Sequence, residues 1–326
     1  MEQVFPEAQR LIETHDIITI HGHAMPDGDC YGSQIALKEM ILSRYPQKKV
    51  YILGSGLPAF FDRMGKMDVV DDETVANSLV ILVDVSCLRR AEDPRCFTGK
   101  AFLKFDHHRP NEATESFDGV SVVDYRRIAA CEILYEFAEA MGYRLTRLSA
   151  SALYLGIVTD SGRFAYNGTT KRTMEIVNKF RRMGVHTKQI EGIAFYRPPR
   201  IRAFVSFIRR RSKMHGSVLF ARVSREDCLK RDVTPEEALK LANSMKVSAE
   251  EVHTYCLIVG FEPDFARAEL RSNRGYPVHG VATKYHGGGH RFASGCELYP
   301  LSEPTCIESL LNDLDALERS TIDDGA

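Results

Sequence analysis

The stretch Leu79-Val-Ile-Leu-Val-Asp-Val85 decides the architecture. Five apolar residues in succession, Leu79 to Val83, leave no polar face, so a strand here must be covered on both sides. That is the signature of a central parallel strand between helical layers. The run closes on Asp84, which puts a carboxylate at its carboxyl end. Working outward, Asp16–His23 (DIITIHGH) reads as a strand ending in polar residues, and Ala101–Phe105 (AFLKF) as another that runs into Asp106-His107-His108. Lys49–Leu53 and Val120–Val123 are further strand candidates. Helical patterns lie at Gly32–Arg44, with Ile35, Leu37, Met40 and Ile41 as apolar anchors, and at Ala130–Met141, Leu148–Val158 and Thr170–Met183. The ordering predicts an α/β fold: an N-terminal parallel-sheet domain with helices on both faces.

Around residues 197–213 the composition changes. The stretch RPPRIRAFVSFIRRRSK holds seven basic residues and no acidic one. Pro198 and Pro199 stop a helix from running through, so a new element begins near Arg200. Such a run is either a phosphate-facing surface or, more commonly, a solvated helix face. Beyond it, strands are expected at Ser217–Val223, Thr254–Phe261 and Phe265–Arg271, helices at Pro235–Met245 and Pro277–Tyr285, and then a glycine cluster, Gly287–Gly289. These make a smaller C-terminal α/β domain. The expected organisation is a first domain over 1–195, a linker or helix over 196–215, a second domain over 216–320 and a tail over 321–326.

The 326 residues carry 43 basic and 44 acidic groups, a net charge of −1. No body-wide basic field exists to grip long duplex nucleic acid, although a short anionic ligand needs only a local patch. No apolar run approaches the roughly 20 residues of a membrane-spanning helix. Met1–Leu11 lacks the basic-then-apolar pattern of a signal peptide. The eight cysteines are scattered, with no CxxC pair. Reduced thiols in a cytoplasmic protein are the expectation, not disulfides or structural zinc.

Four segments place a carboxylate or imidazole at the end of an apolar element: His23-Ala-Met-Pro-Asp27-Gly-Asp29, Asp84, Asp106-His107-His108, and Asp160 closing Leu153–Thr159 (LYLGIVT). In an open α/β sheet ligands bind beyond the carboxyl ends of the strands, where such groups converge. Brought together, five aspartates repel and some take up protons. Divalent cations relieve this, and mixed carboxylate and imidazole ligation suits Mn²⁺, with Mg²⁺, Co²⁺ or Zn²⁺ as alternatives. Taken singly each segment has a plainer reading. Asp-x-Asp beside glycine is turn chemistry, a strand-end Asp is a helix N-cap, and His21 is an ordinary strand residue.

Jointly, these segments resemble the DHH phosphoesterase superfamily, whose naming motif stands here as Asp106-His107-His108. The His-x-x-x-Asp-x-Asp motif matches His23, Asp27 and Asp29, the lone aspartate matches Asp84, and the Asp-[Ser/Thr]-Gly motif matches Asp160-Ser161-Gly162. The C-terminal part resembles the DHH-associated domain through Arg271-Ser272 and Gly287-Gly288-Gly289-His290. Within the superfamily the chain looks like the stand-alone NrnA-type branch of oligoribonucleases and pAp phosphatases. Two positions depart from the pattern. His286 stands where a first glycine is usual, and Ala129-Ala130-Cys131 replaces small hydroxyl residues before Glu132.

The resemblance implies two divalent metal ions, Mn²⁺ favoured, held by His23, Asp27, Asp29, Asp84, His107 and Asp160, with Asp84 shared between them. It implies His108 at the scissile phosphate or leaving oxygen, with Asp106 orienting an imidazole. Arg271, Ser272, Gly287, Gly288, Gly289 and His290 would bind substrate, and Tyr31 is a candidate for stacking on a base. The expected substrates are short oligoribonucleotides or 3′-phosphoadenosine 5′-phosphate (pAp), with no membrane or long-duplex partner; a homodimer is compatible with the family. The same metals would serve linear pApA, a cyclic dinucleotide or short polyphosphate. A non-catalytic RNA-binding module, or a structural protein whose carboxylates merely cap helices, are the readings from other classes.

Overall fold

The computed structural model describes residues 2–108, 117–166, 168–246, 252–272, 276–301 and 305–323. The chain divides into two compact units, Met1–Tyr196 and Arg197–Ala326.

In the first unit β1 (Ile17–His21), β2 (Lys49–Leu53), β3 (Leu79–Val83), β4 (Ala101–Asp106) and β5 (Val120–Val123) form one parallel sheet in the order β2-β1-β3-β4-β5. All five residues of β3 are buried, as its unbroken apolar run predicts. The helices are α1 (Phe5–Thr14), α2 (Gly28–Arg44), the short α3 (Phe61–Met64) and α4 (Asp72–Ala76), then α5 (Ala130–Met141), α6 (Arg147–Asp160), α7 (Lys171–Arg182) and α8 (Thr187–Ala194). The two faces of the sheet differ. Ile18, Ile20, Ile81, Val83, Leu103 and Phe105 share the main core with α1, α2, α5 and α6. The opposite face has a smaller core, in which Val80 and Leu82 meet Val75 of α4 and Cys96. Alternation along β1 and β4 also turns Thr19, His21 and Lys104 to this side, all buried.

Helix α2 starts at Gly28, four residues before its apolar pattern. Asp27 caps it, Oδ1 accepting from the amides of Asp29 (3.0 Å) and Cys30 (3.1 Å). Small residues then let α2 run antiparallel to α6 at close range. A Cβ on Gly28 would fall 2.4 Å from Thr159 Oγ1, one on Gly32 2.4 Å from the Ala152 carbonyl oxygen, and one on Gly156 2.5 Å from Asp29 Oδ1. This seam brings the N-terminus of α2 to the C-terminus of α6.

The second unit holds β6 (Lys213–His215), β7 (Val218–Val223), β8 (Thr254–Glu262), β9 (Phe265–Ser272), β10 (Gly288–His290) and β11 (Ala293–Leu298), in the order β10-β11-β9-β8-β7-β6, with only β7 and β8 parallel among these pairs. Its helices are α9 (Pro199–Arg211), α10 (Arg225–Leu229), α11 (Pro235–Leu239), α12 (Val278–Lys284) and α13 (Thr305–Asp323). Helix α9 is not a free linker, because Ile201, Phe204, Phe207 and Ile208 pack on Ala221, Val223 and Leu257. Three of its five basic residues are engaged within the unit, Arg200 with Glu237 (2.7 Å), Arg211 with Asp227 (3.3 Å) and Arg209 with the Ser244 carbonyl (2.9 Å), while Arg202 and Arg210 lie exposed. The helix expected over Pro235–Met245 breaks into α11 and a 3₁₀ turn at Ala242–Met245. There Asn243 accepts from Arg271 and Ser244 from Arg209, contacts that hold the tighter turn. Of the expected tail, 321–323 belongs to α13 and 324–326 lies outside the described residues. Among the described residues no helix is long and apolar enough to cross a membrane.

Candidate metal centre

The strand order of the first sheet reverses between β1 and β3, the point where open α/β sheets bind ligands beyond the strand ends. His23 lies just past β1, Asp84 just past β3, and His107 and His108 just past β4. The α2–α6 seam adds Asp27 and Asp29 from one helix start and Asp160 from the other helix end. Three groups result whose ligand atoms lie within 4.8 Å of one another: His23, Asp27 and Asp84; Asp29, His107 and Asp160; and Asp84, His107 and His108. Asp84 links them. Its Oδ2 is 3.4 Å from His23 Nε2 and its Oδ1 3.3 Å from His107 Nε2. Backbone φ at Asp84 is +57°, a left-handed turn that lifts the carboxylate off the strand line.

Neighbouring groups aim the side chains. His23 Nδ1 lies 3.0 Å from the Ala24 carbonyl and His107 Nδ1 3.3 Å from the Arg127 carbonyl. A proton on each Nδ1 leaves the Nε2 lone pair facing the cluster. Asp29 is fully buried, and its oxygens accept from the amides of Ala130 (2.6 Å) and Cys131 (2.9 Å) at the start of α5. Backbone amides thus do the tethering, so Ala130 and Cys131 need no hydroxyl of their own. Asp106 Oδ1 accepts from the His108 amide (3.2 Å) and lies 2.7 Å from His108 Nδ1, so it orients His108 and stands back from the metal groups.

The donor set fits divalent cations. Asp84 Oδ1 is buried and, among the described residues, has no hydrogen-bond partner, which is costly for a carboxylate oxygen unless a cation meets it. Burial pushes the Asp29 carboxyl up to about 7, with Asp84 adding to the shift, and burial also raises Asp160, with Asp27 and Asp29 adding. Burial alone would lower His23 and His107, yet the carboxylates around them win and raise both well above the ordinary imidazole value. For Asp84 burial opposes ionisation, but the adjacent His107 and His23 outweigh it and hold the group below the usual carboxylate range. Without metal, protons balance the excess negative charge. Cation binding should therefore release protons, and affinity should fall further as pH drops through about 7, where Asp29 takes up its proton, the raised imidazoles already holding theirs above that pH. Calorimetric titration with Mn²⁺ in buffers of different ionisation enthalpy measures this; buffer-independent heats would contradict it.

Other expected residues fall differently. Tyr31 does not offer a ring to a base. It is wholly buried in the main core, its hydroxyl donating to the Gly65 carbonyl at 2.6 Å. His21 is buried with Nε2 3.0 Å from Thr19 Oγ1, and burial holds its imidazole down to about 4, so it stays neutral. In the second unit Arg271 Nε donates to Asn243 Oδ1 (3.0 Å) and Nη1 to Glu269 Oε2 (2.7 Å), while Ser272 Oγ accepts from the Tyr276 amide. The His290 side chain lies outside the described residues. His286 occupies a left-handed position, φ +55°, which explains why glycine suits it, and its ring stacks on Tyr299 at 5.3 Å.

Of the three glycines, two serve the sheet. A Cβ on Gly287 would meet the Gly295 carbonyl oxygen at 2.1 Å, and Gly289 has φ +137°. Only Gly288 faces open space. Gly289→Ala should therefore destabilise this unit by about 1–3 kcal/mol, whereas Gly288→Ala should leave thermal unfolding unchanged; differential scanning calorimetry of the pair checks this.

Sequence reasoning missed the glycine seam and Lys104, two residues before Asp106 on the same face of β4. The i, i+2 spacing was the available signal.

The match to known proteins follows the same layout. Residues 17–157 match the model of the DHH family, N-terminal domain. The chain is 32% identical over 307 residues to the probable bifunctional oligoribonuclease and PAP phosphatase NrnA of Streptococcus mutans, covering 93% of this chain and 96% of that one. It is 29% identical to the bifunctional oligoribonuclease and PAP phosphatase NrnA of Bacillus subtilis, covering 95% and 97%. In fold it is similar to an exopolyphosphatase-related protein from Bacteroides fragilis, with TM-score 0.84, 21% identity and coverage of 97% and 98%. With both units spanned by relatives of this identity, and the DHH segment seated at the reversal point of the sheet, the chain belongs to the DHH family of phosphoesterases.

Proposed function

We propose that this protein hydrolyses short oligoribonucleotides to nucleoside monophosphates and removes a phosphate from pAp, using two divalent metal ions. The supporting observation is Asp84, whose two oxygens each face a separate His–Asp group while one of them lacks a hydrogen-bond partner among the described residues. In this reading His23 and Asp27 hold one ion, Asp29, His107 and Asp160 the other, and Asp84 serves both. Bound there, the ions supply Lewis-acid stabilisation of phosphoryl charge and acidify the attacking water, and Mn²⁺ suits the mixed donors. His108, held by Asp106, contacts the scissile phosphate or gives a proton to the leaving oxygen. Arg271, Ser272, Gly288, where an added Cβ would meet open space, and His290 bind the substrate's terminal phosphate or sugar. The names of the Streptococcus and Bacillus relatives support this substrate class. The near-zero net charge supports short substrates over long duplexes. Eight free cysteines support work in the cytoplasm, with no membrane partner.

The test is a hydrolysis panel with Mn²⁺: pAp, dinucleotides, longer RNAs, linear pApA, cyclic dinucleotides and pyrophosphate. The expected result is fastest turnover of dinucleotides and pAp, abolished by chelation and restored by Mn²⁺. Equal rates on long RNA, or turnover that survives exhaustive chelation, would refute the reading.

A further inference from the structure

Lys104 is a buried ammonium on the sheet face opposite the main core. It is 7% exposed, and its partners in register are Leu82 on β3 and Ser121 on β5. An unbranched apolar residue would pack beside Leu82 without the cost of desolvating a charge. Lys104 Nζ lies 3.1 Å from Asp106 Oδ2 and donates to the Val85 carbonyl at 3.0 Å. The other oxygen of the same carboxylate, Oδ1, serves His108 through the 3.2 Å and 2.7 Å contacts to its amide and Nδ1. The two oxygens of Asp106 are thus divided between two partners. A carboxylate held at one oxygen can swing about its Cβ–Cγ bond. Held at both, it presents Oδ1 to His108 in one orientation.

We propose that Lys104 is a positioning residue of the phosphoesterase centre: anchored on the Val85 carbonyl, it locks the Asp106 carboxylate that in turn aims the His108 ring. This rests on the reading that His108 works on the scissile phosphate. Lys104 touches no group of the metal set except through Asp106 and the backbone beside Asp84. Its loss therefore acts on turnover and leaves metal loading and substrate affinity in place. Other charged groups of the centre are tied elsewhere: Asp29 to the start of α5, His107 to the Arg127 carbonyl and His23 to the Ala24 carbonyl.

The experiment is a double-mutant cycle on the full chain, with dinucleotide and pAp hydrolysis measured at saturating Mn²⁺. Lys104→Met should lower kcat by about ten- to hundredfold, the usual effect of losing an outer-shell partner, with KM and bound Mn²⁺ unchanged. Asp106→Asn should lower kcat comparably. In the Asp106→Asn background Lys104→Met should then cost little more, because the path from Lys104 to His108 is already cut. Lys104→Gln is the second variant. It keeps a neutral donor for one acceptor, is expected to lose less than Met, and should also become silent in the Asp106→Asn background. Wild-type kcat in both Lys104 variants would overturn the proposal. So would equal further losses in both backgrounds, accompanied by lower melting temperature and metal content, which is the pattern of a scaffold residue. Asp84→Asn is run alongside: full activity there would remove the two-metal reading itself, a failure distinct from that of Lys104.

Discussion

Asp84→Asn should reduce turnover on dinucleotides and pAp by about 10² to 10³-fold, the range seen when a group that stabilises transition-state charge is removed. Asparagine keeps the side-chain shape and tolerates the left-handed backbone at this position, so the substitution isolates charge. What is lost is the negative group lying 3.4 Å from His23 on one side and 3.3 Å from His107 on the other. Both His–Asp groups then lose the negative charge that faces them, and Mn²⁺ content should fall below that of the wild type at limiting metal. Far-ultraviolet circular dichroism should be unchanged. Near-normal kcat with full metal loading would show that Asp84 is only a strand-end residue.

Gly156→Val should be as damaging by another route. The residue lies mid-helix in α6, where valine has adequate helical propensity, so the cost comes from space alone. Its first side-chain carbon would sit 2.3 Å from Cys131 Sγ and 2.5 Å from Asp29 Oδ1. Neither neighbour can yield freely: Cys131 is buried at the start of α5, and the Asp29 carboxylate is fixed by two amides. Separation of α2 from α6 should cost about 1–3 kcal/mol of stability and draw Asp29 away from Asp160. Metal binding and hydrolysis should fall together, by at least about a hundredfold for a misplacement near 1 Å. Gly192→Ala is the matched control. It is also helical, in α8, with nothing within 4 Å of the added carbon, and should leave activity intact while raising stability by about 0.5–1 kcal/mol. Equal behaviour of the two variants would exclude the seam as a determinant of the centre.

How much was legible before the fold was known depended on the kind of signal. The Leu79–Val83 run foretold the central strand because burial on both faces leaves a purely apolar record. The residues that gather at the metal centre were legible because each closes an apolar element. Legibility failed where local chemistry pointed elsewhere. Gly288–His290 forms a strand, yet glycines there read as a turn, and β11 runs straight through Gly295, a residue that weakens a strand pattern in sequence. The Pro235–Met245 segment has helical composition throughout, but contacts from Arg209 and Arg271 close it early into a tighter turn. Tyr31 sits next to metal-centre residues in sequence, and only the direction of its helix shows that the ring enters the core. Lys104 was hidden for the opposite reason: in a strand of apolar neighbours a lysine reads as an edge or surface residue, and its burial emerges from β3 and β5 on either side.

The left-handed backbone at Asp84 has a consequence for which sequences can occupy this position. Geometry there admits asparagine, aspartate and glycine with little strain, and disfavours everything with a branched or longer side chain. On the two-metal reading, chemistry asks for an anion able to face two cations, which admits aspartate and glutamate. The two lists share one member. Glutamate would satisfy the charge but strain the turn and overreach by one carbon, and asparagine or glycine would fit the turn and leave the cations unanswered. Site saturation at residue 84 followed by selection for hydrolysis should return a single amino acid.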